Sequence, residues 1–324
     1  MTAPASGVER RIALISVGAH EYVAVELDGN DEEQDRTSLR TDDLPDWVRT
    51  AEASDAPRWI MRTAAETYAL LLGAGVRITR SHDLVLCHAI LRDTSSVPTP
   101  LPASQEWERR EPTVAAPSLF DVLDEVGGED AIAATLDQYR AQRRVIAAAP
   151  DGRLTLLCAA ESAGGLIAEE MRAAGLPWDE GVHDAILTDT LGTRPVAGGV
   201  PSRMLELGDR VRELLGDASL HLDSQQKLLR ALHRVGVQVE STSRWELAEH
   251  DHPVVEPLLA YKKLSRLLSA NGWAWLAEWV HDGRFRPVYI PGGVVTGRWA
   301  SAGGGALQLP RSLRPAVRAD PGWT

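Results

Sequence analysis

Apolar and polar positions change rhythm along this chain. Near its start, Arg11-Ile12-Ala13-Leu14-Ile15-Ser16 and Tyr22-Val23-Ala24-Val25-Glu26-Leu27 are short β-prone runs separated by Gly18, which predicts two strands in a hairpin. Trp59-Ile60-Met61 predicts another strand, and Thr63 to Leu72 has apolar positions at helical spacing, closed by Gly73 and Gly75. A short apolar run, Val76-Arg77-Ile78, precedes a helix beginning near Asp83. Residues 94–118 hold five prolines among Ser, Thr and Glu with little periodicity, which predicts a loop. Helical spacing resumes over 129–148, and Pro150-Asp151-Gly152 is a turn signal that we read as a domain boundary.

Beyond that turn the rhythm is helical. Arg153 to Ala174 is amphipathic and ends at Gly175, a suitable C-cap. His183–Leu191 and Arg203–Leu215 repeat the pattern across the Pro/Gly-rich segment 192–201. Ser224 can cap a helix that opens at Gln225, and His252 to Val280 is helical with a break at Asn271-Gly272. After Gly283 strand and turn return through Arg286-Pro287-Val288-Tyr289-Ile290. The expected organisation is therefore an α/β domain over 1–151, a mainly helical region over 152–280, and a strand-and-turn segment over 281–324.

Composition narrows the class. With 324 residues, 44% hydrophobic and 25% charged, the chain is that of a globular protein with room for two domains. No apolar run approaches the ~20 residues that span a bilayer. The first residues lack a basic and apolar leader, so a cytoplasmic protein without membrane partners is expected. Cys87 and Cys158 are too few for a disulfide framework or a cysteine zinc site, and their apolar surroundings predict buried free thiols. The histidines form no His-x-x-x-His pair, and His250 with His252 makes a poor metal site.

Charge is unevenly distributed. The net charge is −12, yet residues 281–324 carry six arginines against Asp282 and Asp320, a net of +4 that leaves −16 on the rest. This basic segment is also glycine-rich, with six glycines from Gly292 to Gly305, so its backbone can turn freely and admit a close neighbour. Arg298, Arg311, Arg314 and Arg318 thread through and after it, and guanidinium groups suit phosphate or base-edge contacts.

Three blocks carry a resemblance. Asp223-Ser224-Gln225-Gln226-Lys227-Leu228-Leu229 with Gly236-Val237 resembles an "S-x-K-Q-L … G" helix and turn. Leu258-Leu259-Ala260-Tyr261-Lys262-Lys263-Leu264-Ser265-Arg266-Leu267 resembles "L-x-Y-R-x-L-x-K-L". Thr296-Gly297-Arg298 with Leu307-Gln308 and Pro310 resembles "T-G-R-L-S-S … N-L-Q-N-I-P". In this order and spacing they resemble the thumb and the opening of the palm of family A DNA polymerases, the DNA polymerase I type. Actinobacterial members described as bifunctional 3′-5′ exonuclease/DNA polymerases share the short Gly-Gly-Gly-Ala-Leu-Gln version of the third block.

The resemblance implies an α/β exonuclease-like (ribonuclease H-like) domain, then a helical thumb and the first palm strands. It implies primer-template DNA as partner, in replication or repair near the nucleoid. Arg298 matches the arginine that reaches the minor groove at the primer end, where every base pair offers acceptors. Thr296 belongs to the same motif, and Gln308 matches a template- or primer-side amide. Lys262 and Arg266, one helical turn apart, match basic positions against the duplex backbone. Arg311 and Arg314 would face phosphates, in a register shortened by one residue.

Two departures follow from the same comparison. The first catalytic aspartate is expected beyond Asp320-Pro321-Gly322-Trp323, outside this sequence, as are the fingers with their dNTP-binding lysine. Mg²⁺ and dNTP are thus expected of an intact polymerase, with no cofactor and no catalytic residue in this chain. The exonuclease motifs are also altered. Val25-Glu26-Leu27-Asp28 reverses the order of Asp-x-Glu, Glu66 or Thr67 stands where an aspartate is wanted, and Tyr139-x-x-x-Arg143 replaces Tyr-x-x-x-Asp. An inactive exonuclease is expected, with Asp83 a helix N-cap rather than a ligand. A non-catalytic DNA-binding or interaction scaffold that retains a polymerase-like skeleton is the alternative reading.

Overall fold

The computed structural model of the chain describes residues 9–109, 128–196 and 199–323. They divide into two compact units, Met1–Gly175 with Arg286–Gly303 and Leu176–Phe285 with Gly304–Thr324. The division falls at Gly175 rather than at the Pro150–Gly152 turn.

Unit 1 is built on a sheet of order β3-β2-β1-β4-β5. Strands β1 (Arg11–Gly18), β2 (Glu21–Leu27) and β3 (Glu33–Arg40) form an antiparallel meander, and β4 (Arg58–Met61) and β5 (Ser81–Asp83) add in parallel. Successive residues point to opposite faces. Ile12, Leu14, Tyr22, Ala24, Trp59 and Met61 meet α1 (Leu44–Asp55) and α2 (Ala64–Gly73) on one side. Ala13, Ile15, Val23, Val25 and Ile60 meet α3 (Leu84–Arg92) and α4 (Gly128–Ala147) on the other. Burial on both faces explains why β1 and β2 read as continuous apolar runs. β3, with sequence EQDRTSLR, is a largely exposed edge strand that shows no apolar alternation.

Local chemistry sets the helix starts. Thr63 caps α2 by accepting the Glu66 N–H at 3.2 Å, and Asp83 caps α3 by accepting the Leu86 N–H at 2.9 Å. The apolar run 76–78 is not a strand: the Val76 N–H closes the end of α2 on the Leu71 carbonyl, while the side chains of Val76 and Ile78 fill the core. Residues 93–109 form irregular loop, as expected, and the rest of the predicted loop lies outside the described residues.

The long helix α5 (Arg153–Ala174) belongs to unit 1 because small residues let it lie against α2, α3 and β5. A side chain at Gly165 would meet Leu86 at 3.1 Å. Ser162 Oγ accepts the Asp83 N–H at 3.0 Å, and Tyr68 donates its hydroxyl to Glu170 at 2.6 Å. Cys87 and Cys158 are free, buried thiols at the same contact.

Unit 2 contains β6 (Leu176–Pro177), α6 (Glu180–Leu191), α7 (Ser202–Leu215), α8 (Gln225–Arg234), α9 (Arg244–Ala248), α10 (Val255–Asn271) and α11 (Trp273–Trp279). It closes with the short strands β7 (Val280–His281) and β8 (Arg284–Phe285), in a sheet of order β6-β8-β7. Leu228, Ala231 and Leu232 of α8 and Leu258, Tyr261 and Leu264 of α10 share its main core. Ser224 occupies the N-cap of α8 in extended backbone but makes no side-chain cap bond, which corrects the predicted cap.

Candidate nucleic-acid interface

In unit 1, β9 (Val288–Ile290) and β10 (Ala300–Ala302) pair antiparallel and carry the Thr-Gly-Arg block on the loop between them. Two glycines shape this loop. Gly292 has φ +55, and a Cβ there would lie 2.5 Å from Glu161 Oε1. A Cβ on Gly293 would lie 2.6 Å from that of Ala300. The tip is cross-tied by Gly297 N–H to the Val294 carbonyl (2.9 Å) and Val294 N–H to the Arg298 carbonyl (3.2 Å).

The loop is anchored to α5 through glycine. A Cβ on Gly164 would meet Trp299 at 3.4 Å and Pro291 at 3.6 Å, so these rings sit where a larger residue would stand. Arg109 donates to the Pro291 carbonyl at 2.5 Å. Burial lowers the Arg109 pKa and raises that of Glu161 nearby. With its base held, the hairpin leaves Thr296, Arg298 and Val295 exposed at its tip, Val295 fully so. Arg109 is a residue that sequence reasoning missed, because it sits in the proline-rich loop with no pattern to mark it.

In unit 2, Gly304 and Gly305 have φ of +62 and +64 and lead into two 3-10 turns, Ala306–Gln308 and Arg311–Ala316. Gly304 lies on an aromatic cluster: a Cβ there would be 2.5 Å from the Phe285 ring, and Trp275 Nε1 donates to its carbonyl at 2.9 Å. Trp178, Trp275 and Phe285 stack with centroids 4.8–5.6 Å apart. Leu313 and Ala316 are buried, while Gln308, Arg311 and Arg314 are exposed. Arg284 is neutralised by Asp320 at 2.6 Å, so the positive charge of the C-terminal segment concentrates on its other arginines.

The first two blocks meet in unit 2, where Ser265 of α10 donates to Asp223 at 3.4 Å. Arg266 is exposed on α10. Lys262 is half-buried, and its ammonium donates to both the carbonyl and the hydroxyl of Thr242, bracing α10 against the segment before α9. Desolvation lowers its pKa. Sequence spacing put Lys262 and Arg266 on one face.

The positions compared with the exonuclease motifs fall at two ends of the sheet. Glu26 is bound by Arg10 through two contacts of 2.8 Å, and Asp28 caps its own turn by accepting the N–H groups of Asn30 and Glu32. Both lie where β1 begins, since Glu26 is in register with Ile12. Tyr139 and Arg143 are at that same end, Arg143 beside Asp31 at 3.4 Å. Thr67 lies beyond the far end of β4, on the first turns of α2. Among the described residues no group of three or more His, Cys, Asp or Glu side chains could hold a metal ion.

No family model matches the chain, and no curated protein does. Among solved structures it is similar to the POL domain of Pol1 from M. smegmatis, in complex with DNA primer-template and dNTP, with a TM-score of 0.64. The likeness covers 98% of this chain at 18% identity, and 56% of that chain, so this chain spans about half its length. The fold is thus shared with about half of that solved domain. No helix among the described residues is long and apolar enough to cross a membrane.

Proposed function

We propose that this chain is the primer-template-gripping portion of a family A DNA polymerase, with an exonuclease-like unit that does not cleave. The observation that carries the reading is Arg298, presented on the exposed tip of an anchored glycine hairpin, within a fold like that of a polymerase domain bound to primer-template. Gln308, Arg311 and Arg314, exposed on the 3-10 turns of unit 2, are the further DNA contacts. Thr296 accompanies Arg298, and Arg266 is the phosphate contact of α10. Lys262 keeps that helix in place through Thr242. Residues of unit 2 up to Phe285 correspond to the thumb, and those after it to the start of the palm.

The test is fluorescence anisotropy of this chain on a labelled primer-template at low salt. Binding is expected, and Arg298→Ala is expected to weaken it about tenfold, the loss of one good guanidinium contact to base edges. Failure of the chain to bind, or an Arg298→Ala variant that binds as tightly as the parent, would overturn the reading.

For unit 1, the strand order β3-β2-β1-β4-β5, antiparallel then parallel, supports a ribonuclease H-like exonuclease ancestry. The Arg143 guanidinium beside Asp31, in place of a carboxylate, supports loss of that activity. A 3′-labelled single strand incubated with the chain and Mn²⁺ is expected to stay intact, and metal-dependent release of the label would refute the inactive reading.

A further inference from the structure

Unit 1 holds a second concentration of positive charge that the polymerase reading does not use. A cavity of about 260 Å³ opens at the leading ends of β1, β4 and β5. Its polar lining comes from Arg11, Arg58, Arg143, Glu9, His82 and Tyr139. Arg11 is buried, and Tyr139 is fully buried with its ring edge-on to His82 at 5.1 Å.

The charges at this cavity do not balance. Glu9 is shared by Arg58 (3.0 Å) and Arg80 (3.0 Å). Asp31, in left-handed backbone with φ +67, is shared by Arg11 and by Arg143 at 3.4 Å. Glu9 and Asp31 thus serve Arg11, Arg58 and Arg143 of the lining and Arg80 beside it, so three guanidiniums line the cavity against one lining carboxylate, Glu9. The histidine adds no charge of its own, since burial pushes His82 down to about 4. Its Nε2–H donates at 2.7 Å to the Gln142 oxygen, because the Gln142 amide nitrogen is already committed to the Leu84 carbonyl.

The remaining wall is apolar. Ile146, Cys158 and Ala159 close one side, and the space holds several times the ~30 Å³ share of one water. A lone inorganic anion would leave that wall unmatched. We propose that this cavity binds a small organic phosphate, its monoester dianion held by Arg11, Arg58 and Arg143 and its carbon skeleton laid on Ile146, Cys158 and Ala159. Forked guanidiniums suit phosphate oxygens. The site is separate from the hairpin arginines and does not depend on the polymerase reading.

Isothermal titration of the whole chain at low salt with ribose 5-phosphate, inorganic phosphate and ribose tests this directly. Ribose 5-phosphate is expected to bind one-to-one, more tightly than inorganic phosphate, with no binding by ribose. Arg143→Ala is expected to weaken it about tenfold or more, and Arg298→Ala to leave it unchanged. Arg143 is half exposed and makes only a long contact to Asp31, so this variant is expected to fold as the parent does, with Arg58→Ala as the second variant. The His82 ring signals should shift on titration. No saturation by ribose 5-phosphate at about 10 mM, equal affinity for inorganic phosphate, or insensitivity to both arginine variants overturns the proposal.

Discussion

Asp83 and His82 are neighbours in sequence and opposites in charge behaviour. Both are fully buried. Burial pushes the Asp83 carboxyl up from 3.8 to about 6, against the pull of two backbone N–H bonds, and pushes the His82 imidazole down from 6.5 to about 4. The folded chain holds the Asp83 proton longer than the unfolded chain, so this group adds stability below its unfolded value and loses it as pH rises towards 6. His82 does the reverse, adding stability above 6.5 and losing it as pH falls towards 4. Across that interval the two nearly cancel. Asp83→Asn should expose the histidine alone, so the variant's Tm is expected to fall more steeply from pH 6.5 to 4 than the parent's. Parallel slopes in calorimetry would show that the pair is not compensating. At the hairpin, Gly292→Ala should cost about 2 kcal/mol or more, since it combines a left-handed backbone with a clash on Glu161. Gly297→Ala, at φ +76 in open space, should cost about 1 kcal/mol, and urea titration of both variants separates the two effects. The Asp83 cap was legible in sequence because a cap is a local rule. The glycine clearances were not, because each depends on a residue far along the chain.

Among the elements, the hairpin of β9 and β10 is positioned less by its own pairing than by the helix beneath it. Two-stranded hairpins are marginal alone. Here Trp299 and Pro291 rest on Gly164 of α5, and Arg109 holds the Pro291 carbonyl. Arg109→Ala is therefore expected to speed amide exchange of Val294 and Gly297 about tenfold, with little change in exchange of β1, as read by hydrogen-exchange mass spectrometry. Uniform protection in both segments would assign the anchoring to packing alone. Elements with strong apolar rhythm, such as β1, β2, α5 and α10, were legible. β3 was not, because an exposed edge strand keeps no buried face to imprint an alternation and owes its place to the ladder with β2. At the candidate site the motif marks Arg298 in the sequence, and the structure places it exposed on the hairpin tip. At Lys262 spacing alone could not disclose the Thr242 carbonyl that its ammonium meets.

For the whole molecule, a net charge of −12 opposes nucleic acid, and in the function proposed above the exposed guanidiniums of Arg266, Arg298, Arg311 and Arg314 act locally against it. Such binding is carried by counterion release and should be steeply salt-dependent, with log affinity falling against log salt at a slope of about −3 if Arg266, Arg311 and Arg314 each meet a phosphate. Arg311→Ala and Arg314→Ala should each reduce the slope by about 1, whereas Lys262→Ala should leave it nearly unchanged while lowering the thermal midpoint. A slope near zero would argue against phosphate contacts altogether.

The path of the chain between its units has its own consequence. It leaves unit 1 after Gly175, returns at Arg286 and departs again after Gly303. Neither unit is a continuous stretch of polypeptide. A gene cut at codon 175 would therefore yield an amputated unit 1, with Gly164 stripped of Trp299 and Pro291. Exchange of gene segments with a relative would succeed only when residues 286–303 travel with the first 175. The Arg298 hairpin and the α/β unit that seats it are expected to be inherited together, as one cassette in two pieces.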